Sequence, residues 1–178
     1  YTSKSKEGLA KIFQGVIFQL SRRLQVFLQK AEKGEDNWRP SVICISPDFF
    51  KRPTAFQLMR WLSHRYGFGT YLHYINGYLS KESNATSKEE LQRLLQISGA
   101  SKSNVYIDTL ISPSFTSAVA QAMQLPSVSG KDINMILFEF SKYEPENLEE
   151  IMDNFTLVKS ADFDICILGS SDKEYGFN

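Results

Sequence analysis

The sequence predicts an α/β domain built on a doubly wound, mainly parallel sheet of five strands in the order 3-2-1-4-5, preceded by a long amphipathic helix. The first observation is that short apolar runs alternate along the chain with stretches of helical periodicity, which is typical of α/β folds. The second is that runs such as 41–46 are apolar at successive positions, as in parallel strands covered on both faces. Right-handed crossovers then favour the doubly wound order.

The first predicted element is a helix over residues 7–31, because apolar residues recur there at spacings of three and four. At 1.5 Å per residue this helix would be roughly 37 Å long, so its apolar stripe is too long for one small sheet to cover. We therefore expect part of the stripe to pack against the domain or against a second copy across a two-fold axis. The residues predicted to form this interface are Ile12, Phe13, Val16, Ile17 and Leu20.

The next elements form the first strand-helix-strand unit. After a polar break at 33–40, the run 41–46 (SVICIS) is rich in β-branched residues and predicts a buried strand. Residues 54–66 carry apolar residues on one side and predict a helix with Thr54 as its cap. A second strand is expected at 69–79, where apolar and aromatic residues follow two glycines.

The polar segment 80–90 predicts a loop that opens a helix continuing to Gly99. The remaining elements follow from the same alternation of apolar runs and helical spacing. Pro145 and the glutamates after it suit the first turn of a helix. These elements are strands at 104–111, 133–141 and 163–170, and helices at 114–124 and 145–157.

The composition is that of a globular protein, since 42% of the 178 residues are hydrophobic and 22% are charged. The net charge is zero, but residues 1–65 hold 12 Lys and Arg against 5 Asp and Glu, whereas the rest holds 8 against 15. This asymmetry predicts an anionic partner for the basic end, either a lipid surface, nucleic acid or the acidic half of a second copy. No motif for nucleic-acid binding is present, which disfavours the second of these.

A doubly wound sheet binds ligands at the carboxyl ends of strands one and four, where the strand order reverses. The loops expected there contain no glycine, and the sequence has no glycine-rich phosphate motif. A nucleotide site would rest on Asp48, Lys51 and Arg52 alone.

Catalytic and metal sites are not expected. His64 is predicted to lie in a helix and His73 in a strand, so a hydrolase would need both to converge with Asp108 on one cleft. Glu139 lies in the predicted fourth strand, where the alternation of side chains predicts that it faces the rim of the sheet. Cys44 and Cys166 lie in apolar runs and predict buried free thiols, and no metal-ligand spacing occurs. The glutamates after Ser141 are interpreted as a helix start; they are Glu144, Glu146, Glu149 and Glu150.

The order of features resembles the cytosolic C-terminal region of the cation-chloride cotransporters, of prokaryotic type, within the amino-acid permease-like transporters. A basic amphipathic helix leads into Asn37-Trp38-Arg39-Pro40, then a β-branched strand, then a loop in which Arg52-Pro53 opens a helix. The resemblance covers nearly the whole chain. It extends to Asn104–Asp108, Ile133–Phe140 and Lys173–Gly176.

The resemblance implies a universal-stress-protein-like lobe that dimerises and modulates transport without being an enzyme and without cofactor or metal. Residues 1–38 would be the connecting helix and linker from the membrane part, and residues 39–178 the lobe, with the family's second lobe absent. The parent would carry coupled Na⁺, K⁺ and Cl⁻ symport in its membrane part. Partners would be a second copy, the protein's own transmembrane domain and anionic lipid, at the cytoplasmic face of the cell membrane. The alternative is a nucleotide-sensing domain of the stress-protein type.

Overall fold

The chain divides into two compact units, Tyr1–Asn37 and Trp38–Asn178. In the first unit the described residues are helical, in agreement with the predicted helix over 7–31; its other positions lie outside the described residues. The structure, a computed structural model, describes residues 14, 16–24, 26–27, 39–64, 67–99, 104–125 and 133–171.

The second unit is built on a five-stranded sheet whose strands are all parallel and stand in the order β3-β2-β1-β4-β5. The predicted fold class and strand order are therefore confirmed. The strands are β1 (Ser41–Ser46), β2 (Phe68–Asn76), β3 (Val105–Ser112), β4 (Met135–Ser141) and β5 (Asp164–Ser170).

Five helices accompany the strands in the described part of this unit. They are α1 (Thr54–Ser63), α2 (Lys81–Gly99), α3 (Phe115–Met123), α4 (Glu146–Asp153) and α5 (Phe155–Ser160).

The prediction of a loop within 80–90 was wrong, because α2 begins at Lys81. Two serines cap this helix reciprocally. The Ser83 N–H donates to Ser80 Oγ (3.1 Å), and the Ser80 N–H donates to Ser83 Oγ (2.8 Å). Such reciprocal bonds satisfy N–H groups that have no partner within the helix, so a polar segment can still start a helix. The predicted strand 69–79 also ends early, at Asn76, because Gly77 takes a φ of +149°.

The single helix predicted over 145–157 is two helices, divided at Asn154. The Asn154 side chain is fully buried, and its Nδ2 donates to the Glu150 carbonyl at 2.8 Å. Its own carbonyl accepts the Val158 N–H at 3.0 Å and starts the second helix. An asparagine side chain competes for backbone bonds in this way and favours the ends of helices over their interiors. Hydrophobic spacing does not reveal the break, because Ile151 and Val158 on either side are both buried.

The two faces of the sheet carry separate hydrophobic cores, and alternate residues of β1 enter each one. Ile43 and Ile45 pack with buried residues of α3, α4 and α5. Val42 and Cys44 pack with buried residues of α1 and α2. This double coverage explains why the run 41–46 is fully buried. The edge strand β5 is covered less, and its Ile167 is 44% exposed.

Candidate functional site

The strand order reverses between β1 and β4, and their carboxyl ends define the candidate site. Pairing between the two strands runs from Val42 opposite Met135 to Cys44 opposite Leu137. A cavity of about 80 Å³ lies at this edge, which is small beside the ~300–1,000 Å³ of drug-sized ligand pockets. Its lining includes two carboxylate residues and consists of Ile45, Pro47, Tyr74, Phe115, Glu139, Asn147, Glu150 and Ile151.

Glu139 was expected to face a rim, and this expectation was wrong, because it is buried at 6% exposure. Its Oε1 accepts the Ala55 N–H, at the start of α1, over 3.2 Å. That helix has Pro53 at its N-cap position, no side-chain cap and no acidic residue in its first turn. Thr54, the predicted cap, is instead the first helical residue. Glu139 therefore supplies from β4 the acceptor and the negative charge that the helix start otherwise lacks.

The surroundings of Glu139 act on its charge in opposite directions. Burial raises the pKa of the Glu139 carboxyl above its ordinary value. The Ser170 hydroxyl, the Ala55 N–H and the Arg52 guanidinium each lower that pKa in part, and Asp48 raises it. The polar groups around Glu139 thus offset only part of the effect of burial on its pKa.

The loop after β1 is held together by an ion pair between Asp48 and Arg52. Arg52 is 7% exposed, and its N–H donates to the Asp48 carbonyl at 2.8 Å, as does the Lys51 N–H at 2.9 Å. The Asp48 N–H in turn donates to Ser46 Oγ at 3.1 Å. The three residues considered for a nucleotide are therefore differently placed. Asp48 and Arg52 are engaged with each other, whereas Lys51 is exposed.

His73 lies in β2 opposite Ser46, beneath this loop, and is 7% exposed. The Phe50 ring packs edge-on against the imidazole, with 5.7 Å between the ring centroids. The Arg93 guanidinium of α2 lies over the Phe50 ring, 4.6 Å from its centroid. Arg93 also donates a hydrogen bond to the Glu90 carboxylate at 3.0 Å. Burial lowers the pKa of His73 below its usual value, and Glu90 and Asp48 offset part of that effect.

The residues considered for a hydrolase do not come together. Asp108 lies opposite Leu72 in the sheet, whereas His73 lies opposite Thr109. Since successive side chains of a strand point to opposite faces, Asp108 and His73 lie on different sides of the sheet. His64 is exposed at the end of α1. The Asp108 carboxylate accepts the Thr109 N–H at 2.8 Å.

The cysteines are both free, as predicted, but only Cys44 is fully buried. Both lie opposite Leu137, one on each side, so two strand spacings separate them, roughly 9.6 Å. A disulfide needs Cα atoms within about 7 Å. Within the described residues, no group of three or more His, Cys, Asp and Glu side chains is placed to hold a metal ion.

Three of the five predicted interface residues, Val16, Ile17 and Leu20, belong to the described part of the helix, whereas Ile12 and Phe13 lie outside the described residues. Val16 and Ile17 are each 58% exposed, and Leu20 is 57% exposed. Leu24 and Phe27, farther along the same stripe, are also exposed. At 100° per residue these side chains share one side of the helix. The five side chains therefore form one apolar stripe along the helix.

Two features near the carboxyl ends of the strands, which we call the carboxyl edge of the sheet, were not predicted from the sequence. An acidic residue inside the apolar run 133–141 is the one signal that could have marked Glu139 as a buried, paired carboxylate. The contact of Arg93 with Phe50 has no sequence signal, because the two residues come from separate elements that only the fold brings together.

Comparison with protein-family models and with curated proteins finds no match for this chain. None of the helices in the described ranges is both long enough and apolar enough to cross a membrane.

Proposed function

We propose that this chain is a non-catalytic regulatory and dimerisation domain of a secondary transporter resembling the cation-chloride cotransporters. The observation that carries the proposal is the exposed apolar face of the N-terminal helix, formed by Val16, Ile17, Leu20, Leu24 and Phe27. Apolar faces of this kind on a helix mark surfaces that a partner covers.

The carboxyl edge supports the same proposal by its chemistry. The cavity there is bordered by Glu139 and Glu150, whose negative charge opposes a phosphate group. The buried guanidinium of Arg52 is already engaged by Asp48. These two features disfavour the nucleotide-sensing alternative at this site.

The proposed occupant of the helix face is a second copy of the chain, with the two helices related by a two-fold axis. Sedimentation velocity of the wild type and of Ile17→Asp tests this, because a carboxylate on the apolar face would be desolvated on association. We expect a dimer for the wild type and a monomer for Ile17→Asp. Gln19→Asp is the matched control, since it adds the same charge to an exposed position outside the stripe, and it should remain dimeric.

Monomeric wild type at every concentration would refute dimerisation through this face. So would dimers of equal strength in wild type and Ile17→Asp. Circular dichroism of each variant separates loss of association from loss of folding.

Attachment to a transporter predicts that the parent gene also encodes membrane-spanning segments. The sequence encoded before Tyr1 should contain about twelve apolar segments of ~20 residues, each long enough to span a bilayer. Arg22 and Arg23 on the described helix fit a segment near the cytoplasmic face, where basic residues accumulate and anionic lipids attract them. A parent without membrane spans would refute this part of the proposal.

Calorimetry with ATP and ADP separates this function from nucleotide sensing. A dissociation constant below about 100 μM, or roughly −5.5 kcal/mol, would favour a nucleotide sensor. Our proposal predicts weaker binding or none, because Lys51 is the one exposed cation among the three residues first considered for a phosphate.

A further inference from the structure

The segment Phe50–Arg52 lies between two fixed points. On one side, Phe49 is 3% exposed, and its ring contacts Phe56 and Tyr71 with centroid distances of 5.1 and 5.2 Å. On the other side, Pro53 leads directly into α1. The tip of the segment, Phe50, is 39% exposed and rests on His73. Phe50 therefore covers His73 from an exposed position, whereas its neighbour Phe49 is anchored in the core.

We propose that Phe50–Arg52 is a pH-operated latch, closed over the carboxyl edge while His73 is neutral and released when His73 is protonated. This inference is independent of the transporter proposal, since it concerns a movement within the second unit alone. It adds a signal, acidification, that the domain would sense.

Charged groups of both signs face His73 from the two elements packed against it. The latch loop carries Asp48, Lys51 and Arg52, and α2 contributes Glu90 and Arg93. The neighbouring residues Ser46 on β1 and Thr109 on β3 are uncharged. Asp48 and Glu90 favour the protonated imidazole, so the direction of the switch comes from the burial of His73 and not from these charges.

Burial makes this protonation costly in the closed state. The His73 Nδ1 is buried and has no hydrogen-bond partner among the described residues, so a proton placed there would lack an acceptor. The folded-state pKa of His73 lies below the unfolded value of 6.5. The stability that neutral His73 gives to the closed state is therefore complete above pH 6.5. It is lost as the pH falls from 6.5 towards the lower folded-state pKa.

Hydrogen exchange of the Lys51 and Arg52 amides reports the latch, because both N–H groups donate to the Asp48 carbonyl when it is closed. After correction for intrinsic rates, we expect their protection to fall between about pH 7.5 and about pH 5.5 in the wild type, by at most about tenfold for an open state that titrates at 6.5. His73→Gln, which cannot take up the proton, should keep its protection. His64→Gln, at the exposed histidine, should behave as the wild type does.

Unchanged protection in the wild type, or an equal fall in His73→Gln, would overturn the latch. An NMR titration of the wild-type imidazoles provides a second test that needs no variant to fold. His73 should titrate below about 6.5, the value of an unperturbed histidine, with amide shifts of Lys51 and Arg52 following the same curve. Titration of His73 at or above that value would overturn the proposal.

Discussion

Replacing Glu139 tests whether a buried carboxylate from β4 holds the start of α1. Glu139→Leu keeps a similar volume but removes the acceptor for the Ala55 N–H, which is otherwise bonded at 3.2 Å. An unsatisfied buried donor costs about 1–3 kcal/mol, and loss of a helix cap costs about 1 kcal/mol. Because the two costs describe the same bond, we expect a loss of about 2 kcal/mol in the free energy of unfolding.

Urea denaturation followed by circular dichroism measures this loss, and thermal unfolding should show a midpoint about 4–8 °C lower. Glu139→Gln retains an oxygen that can accept the Ala55 N–H, so its loss at neutral pH should stay below about 1 kcal/mol. Glu89→Gln, at an exposed position in the interior of α2, is the control and should change stability by less than about 0.5 kcal/mol.

The pH dependence of the same variants has a defined sign. Because burial raises the folded-state pKa of Glu139, the folded protein binds more protons than the unfolded chain from about 4.5 up to the raised value. The wild type should therefore lose stability relative to Glu139→Gln as the pH rises through that window. Equal stability of Glu139→Leu and the wild type would refute the capping role, and an opposite pH trend against Glu139→Gln would contradict the dominant effect of burial on the Glu139 pKa.

Two further changes test the packing of the second unit. Gly67→Ala should lower the free energy of unfolding by about 1–3 kcal/mol, measured by urea denaturation. The reason is that the added Cβ would lie 2.6 Å from the Leu62 carbonyl oxygen and 2.7 Å from the Pro40 carbonyl oxygen. An unchanged urea midpoint would contradict this prediction. In the native protein a thiol reagent should modify Cys166 before Cys44, since burial raises the pKa of Cys44 well above its ordinary value and leaves Cys166 partly accessible. Mild oxidation should form no bond between the two within one folded chain, and recovery of such a bond would contradict the strand order.

The sheet could be predicted from the sequence because the information that defines it is local. Each strand is a short apolar run, and β1 was predicted at its observed bounds, Ser41–Ser46. The order followed from the handedness of crossovers, which depends on chain chirality and not on particular side chains.

The features that could not be predicted depend on contacts between distant elements or on competing backbone bonds. Glu139 and Ala55 are 84 positions apart, so the cap on α1 is invisible until the sheet places β4 beside that helix. Asn154 interrupts a helix although the hydrophobic spacing continues through it, since its amide bonds to the backbone. The latch likewise joins Phe50, His73 and Arg93, which belong to three separate elements.

The most direct test of the proposed function is ion uptake by the complete parent protein carrying Ile17→Asp or Gln19→Asp, measured at equal amounts in the membrane. Docking through the exposed helix face predicts that Ile17→Asp changes the transport rate and that Gln19→Asp transports as the wild type does. Identical uptake by all three proteins, or a parent that transports no ion, would contradict the account.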